Sequence, residues 1–135
     1  MTSIEINGTN YPLKFGFGFM QGINKKYEAE AKEAGYTRDD SGLSLAMLKM
    51  IGDKSLVALI DIIMEAAKST PENQLKRNDL IEWIENDDTD INGLFKEVES
   101  FFAKSNCCKL TLKAVTNQIA EIEAAIAAEA KAIAG

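Results

Sequence analysis

Residues 1–27, MTSIEINGTNYPLKFGFGFMQGINKKY, change their hydrophobic period partway along, and that change decides the fold. Ile4 and Ile6 alternate with polar residues, and Tyr11, Leu13 and Phe15 do the same on a return strand. A period of two is that of a half-buried strand. Between the two runs, Asn7-Gly8-Thr9-Asn10 supplies residues that tolerate positive φ, so a β-hairpin is expected over residues 3–15. From Phe19 the period becomes helical. Met20, Ile23, Tyr27 and Ala31 share one face of a helix expected to run to Ala34, with Gly35 as its C′ residue.

The rest of the chain reads as helices. A polar loop, residues 35–42, leads to a short helix over Leu43–Ile51. Gly52 breaks it, and Asp53 is the expected cap of a helix running to about Ser69. In that helix Leu56, Val57, Leu59, Ile60, Ile62, Ile63 and Met64 leave one polar stripe of Lys54, Asp61, Glu65 and Lys68. A helix apolar on most sides is buried on most sides. Thr70-Pro71 marks its end.

Asn78 or Asp79 is the expected cap of a short helix that packs through Leu80, Ile81, Trp83 and Ile84 and ends near Asn86. Asp88–Asp90 opens another, carrying Ile91, Leu94, Phe95, Val98, Phe101 and Phe102. The last helix, about Leu110–Ile133, places Leu112, Val115, Ile119, Ile122, Ile126 and Ile133 on an a/d seam. The fold class is mainly α, a compact bundle of five or six helices with an N-terminal β-hairpin. The expected organisation is a single domain over 1–135: hairpin 3–15, helical body 17–106, and C-terminal amphipathic helix 107–135.

Charge narrows the partners. The formal net charge is −6, and residues 71–106 hold nine acids against four bases. Phosphate backbones are held by clustered Lys and Arg, so this composition argues against nucleic acid. The most apolar run, Leu56–Met64, is interrupted by Asp61 and too short to span a bilayer. No secretory signal is legible, so a soluble chain without a membrane partner is expected, and Asn7-Gly8-Thr9 is read as a turn rather than a glycosylation acceptor. The adjacent Cys107 and Cys108 do not form a CxxC pair and are expected as reduced thiols. Histidine is absent, which removes the commonest general base and metal ligand. No enzymatic site and no cofactor are expected.

Two motifs resemble chemistry. Gly16, Gly18 and Gly22 follow a strand and precede a helix, but the third glycine comes four residues after the second where a dinucleotide fingerprint wants three. The expected role is a corner anchored by Phe15, Phe17 and Phe19. Asp88, Asp90 and Asn92, with Gly93 and then Glu99, satisfy the spacing of a calcium loop. Against it, Lys96 takes a ligand position, and the apolar period runs unbroken from Ile91 to Phe102. An acidic helix N-terminus explains the same residues, so no metal is expected.

With these segments placed, residues 5–27, EINGTNYPLKFGFGFMQGINKKY, resemble the tail assembly chaperones of long-tailed, siphovirus-type phages of Gram-positive bacteria. The resemblance extends through Leu56–Met64 and the acidic turn at Asp87–Asp90 to the FFAKSN that ends the next helix, covering about residues 3–115. It implies a holdase that binds the tape measure protein and keeps it soluble until the tail tube polymerises around it. It further implies action in the host bacterial cytoplasm, absence from the mature virion, and in many such phages a frameshifted longer form of the same chain. Self-association is expected from the terminal seam. Phe17, Phe19 and Met20 at the corner, and Ile119, Ile122 and Ile126 on the seam, are the candidate partner-binding residues. The rival readings are a structural minor tail or connector protein and a calcium-responsive helical adaptor.

Overall fold

The computed structural model describes residues 2–134; Met1 and Gly135, the ends of the span expected to form one unit, lie outside the described residues. Strands β1 (Ser3–Ile6) and β2 (Thr9–Pro12) pair antiparallel with Ile4 opposite Tyr11, followed by α1 (Phe17–Glu33), α2 (Ser41–Ile51), α3 (Leu56–Lys68), α4 (Arg77–Glu85), α5 (Ile91–Lys104) and α6 (Lys109–Ala134). The chain is mainly α with a two-stranded hairpin at its front.

The hairpin turn is tighter than the four residues expected. Asn7 and Gly8 alone make it, with φ of 52° and 83°, as a two-residue connection that matches strand twist requires. Thr9 and Asn10 belong to β2. The return strand also ends early, because at Lys14 its backbone leaves the hairpin. Leu13 N–H still donates to Thr2 O at 2.9 Å, but Lys14 N–H donates to Ala66 O at the end of α3, at 3.1 Å. The hairpin is thereby stitched to the helical body.

Helix α1 starts two residues before the expected Phe19. Its buried stripe is Phe19, Ile23, Tyr27 and Ala31, in steps of four, and Met20 is only half-buried. It ends in a Schellman motif. Gly35, at φ 91°, donates to Lys32 O and Tyr36 N–H reaches back to Ala31 O, both at 3.0 Å. Gly42 then allows α2 to lie directly on α1, since a Cβ there would collide with the Asn24 backbone. Asn24 Oδ1 accepts the free Leu43 N–H of the first α2 turn at 2.7 Å.

Two expected caps are replaced by neighbours. Asp53 does not cap α3. Lys54 sits in left-handed backbone at φ 54°, which turns the chain before Ser55, and the Ser55 hydroxyl accepts from Ala58 N–H. Helix α4 starts earlier than expected, with Lys76 at its N-cap position and no side-chain cap, so Asn78 and Asp79 fall inside its first turn. At α5 the expected cap is present, with Asp90 Oδ1 accepting from Gly93 N–H at 2.9 Å.

One hydrophobic cluster draws on all of these elements, with Phe19, Ile23, Met47, Met50, Leu59, Ile62, Ile63, Leu80, Val98 and Phe102 at its centre. Helix α3 contributes seven buried apolar residues. Its first turn overhangs the body, however, leaving Leu56 and Val57 exposed, while Asp61 of the expected polar stripe is buried.

Candidate functional site

The glycine-rich corner separates its aromatic residues by role. Phe15 packs edge-on against Phe19, with centroids 4.9 Å apart, and against Phe102 at 5.5 Å, and it lies 5.7 Å from Phe101. This cluster joins the hairpin exit to α1 and α5. Phe19 has no exposed surface, so among the corner candidates it is a core residue and not a partner-binding one. The physical reason is its place on the steps-of-four stripe that faces the core. Phe17 falls on the opposite side, 61% exposed, so it does not anchor the corner as expected. The segment 105–108 closes over the corner: the Ser105 hydroxyl donates to Phe15 O, and Cys108 is buried beside it. Burial pushes the Cys108 thiol up from its ordinary pKa.

The C-terminal seam splits in the same way. Leu112 and Val115 are buried against the body. Ile119 is half-buried, close to Gly52 at the end of α2, and Gln118 Nε2 contacts the Tyr36 hydroxyl at 3.4 Å. From Ala120 to Ile133 every residue is exposed. Ile122 is 45% and Ile126 61% exposed, and at about 1.5 Å per residue this part of α6 extends about 20 Å from the body. Phe17, Met20, Ile122 and Ile126 thus keep accessible apolar surface, at two separate places.

The acidic stretch does not converge. Asn92 and Glu99 both lie on α5, seven residues or about 10 Å of helix apart, and Asp90 is engaged by Gly93 N–H. Among the described residues no group of three or more His, Cys, Asp or Glu side chains is placed to hold a metal ion.

The structure also assembles a polar group that sequence reading missed. Asp61, 5% exposed, accepts from the Tyr27 hydroxyl through Oδ2 at 2.8 Å, while Oδ1 meets Arg77 at 3.1 Å and Lys26 Nζ at 3.3 Å. One carboxylate therefore ties α3 to α1 and α4. Burial, the bond to Asp61 and the Asp61 charge together push the Tyr27 hydroxyl well above the usual tyrosine range. The available signal was a single acid inside the apolar run Leu56–Met64. A buried charge needs partners, and those partners come from helices distant in sequence. The arrangement is structural: its groups are spent on one another.

Accessible apolar surface on a helical body suits binding. A family model described as phage tail assembly chaperone protein, TAC, matches residues 3–118. The chain belongs to the phage tail assembly chaperone family. No curated protein and no solved structure matches the chain significantly. The family match ends one residue before Ile119, where α6 leaves the body of the chaperone. The hairpin, the aromatic corner and the Asp61 group all lie within the matched span. Among the described residues no helix of this chaperone is long and apolar enough to cross a membrane.

Proposed function

We propose that this chaperone binds the tape measure protein of a long-tailed phage of a Gram-positive host and keeps it soluble in the host cytoplasm until the tail tube polymerises around it. It acts by reversible binding and leaves before the virion matures. The observation that carries this reading is the apolar face of α6 beyond the body, where Ile122 and Ile126 are exposed, with no buried residue around them among the described residues. A long helical client offers amphipathic segments, and apolar helix faces are what such segments pack against. Phe17 and Met20 give a second, smaller contact at the corner. Self-association of the chaperone would place many such faces along one client.

The test is co-purification. The tape measure protein of the same phage is co-expressed with the wild-type chain and with a variant carrying polar residues at Ile119, Ile122 and Ile126. The wild type should retain the client and the variant should lose most of it. Equal retention by both would remove the seam from the binding site.

A further inference from the structure

We infer that the start of α3 is a docking surface for a second protein partner, one that presents a basic amphipathic helix. This does not rest on the client reading, which uses α6 and the corner at Phe17 and Met20. Helix α3 is otherwise a core helix, yet in its first turn Val57 is 64% and Leu56 43% exposed. The neighbouring helices set what surrounds them. At the start of α4, Arg77 meets Asp61. The end of α4 leads through residues 86–90 into α5, where the Phe95 ring lies 5.4 Å from Lys54 Nζ, just ahead of α3. Helix α4 therefore runs back along α3, and Ile81, one turn beyond Arg77, comes level with Val57, one turn before Asp61. Helix α1 also runs opposite to α3. Gly22 faces the Glu65 carboxylate and Lys26 meets Asp61 at 3.3 Å, so Glu30 comes level with Val57 from the other side. Val57 is thus the floor of a strip between α1 and α4, with the half-buried Ile81 as its apolar wall.

Charge says what kind of partner this surface takes. Asp53, Glu85, Asp87 and Asp88 are exposed at this end of the bundle, and none of them forms an ion pair among the described residues. The nearby bases are engaged: Lys49 with Glu30, Lys26 and Arg77 with Asp61, and Lys54 over the Phe95 ring. Lys96, on the second turn of α5, is the exception. An exposed apolar strip bordered by carboxylates complements a helix that carries apolar side chains on one face between Lys and Arg. The projecting part of α6 from another copy does not fit that description, since its Glu121, Glu123 and Glu129 outnumber Lys131.

The test uses fluorescence anisotropy with a labelled helical peptide of Leu and Lys, its Leu residues on one face, and a control peptide with Glu in place of every Lys. The wild type should bind the Leu–Lys peptide, more weakly as salt is raised, and should not bind the Leu–Glu peptide. Val57→Lys, and separately Glu85→Lys with Asp87→Lys, should each weaken binding about tenfold or more. All three positions are exposed, so these variants should fold as the wild type does by circular dichroism. Ile122→Lys with Ile126→Lys should bind the peptide as the wild type does. A wild type that ignores the Leu–Lys peptide, or binds both peptides equally, overturns the proposal. So does unchanged binding in either variant at the start of α3, which would mean unspecific attraction to an acidic chain, or loss of binding in the α6 variant, which would move the site to α6. The Val57→Lys chain should still retain the tape measure protein; if it does not, the surface belongs to the client and the proposal of a second partner fails.

Discussion

The Tyr27 hydroxyl donates to Asp61 Oδ2 at 2.8 Å, joining α1 to α3 across 34 residues of sequence. Asp61→Ala leaves that hydroxyl without its acceptor in the interior. Lys26 and Arg77, both about half exposed, can turn to water, so the loss is dominated by the Tyr27 bond. Destabilisation of about 1–3 kcal/mol is expected in urea unfolding followed by Trp83 fluorescence. An unchanged midpoint would mean the carboxylate contributes nothing net.

The same pair sets an alkaline response. Tyr27 titrates above its ordinary range when folded, so the fold favours the protonated hydroxyl. That contribution is complete below the unfolded tyrosine value of about 10 and is lost as pH rises above it. The slope from this group approaches about 1.4 kcal/mol per pH unit. Tyr27→Phe should be less stable than the wild type at neutral pH and should lose stability less steeply above pH of about 10. Parallel profiles for the two proteins would contradict this.

Gly42 makes a steric prediction. The atoms that a Cβ would meet are Asn24 backbone atoms in the middle of α1, which cannot swing aside. Gly42→Ala should cost about 1–3 kcal/mol by forcing the helices apart, although alanine is the better helix former. A stabilised variant would show that α1 and α2 do not approach as described.

Phe17 and Phe19 are two residues apart and should behave oppositely. Phe19→Ala opens a cavity in the aromatic cluster and should cost about 3–5 kcal/mol. Phe17→Ser, on an exposed side chain, should change stability by no more than about 0.5 kcal/mol and act instead on client retention. Thermal unfolding of both variants distinguishes these roles.

This pair also marks what the sequence could reveal. Element types follow from period, and the hairpin, six helices and most core residues of the described chain were legible that way. The side of α1 that Phe17 and Phe19 each occupy depends on where the helix begins. That start is set by the Gly16 corner and by Lys14 bonding to α3, a contact between distant residues. Asp53 looked like a cap because Asp is a good one. The left-handed backbone at Lys54 moved the role to Ser55. The a/d seam of α6 was readable throughout, but its division after Ile119 into packed and projecting parts was not. The seam runs on at the same spacing where the body it packs against has ended.

The most direct measurement is light scattering of the purified tape measure protein on dilution from denaturant, with and without the chain. The expected result is suppression of aggregation by the wild type, recovery of a soluble complex, and loss of both effects in the Ile122→Lys, Ile126→Lys variant. Aggregation that proceeds identically with and without the wild-type chain would contradict the central claim.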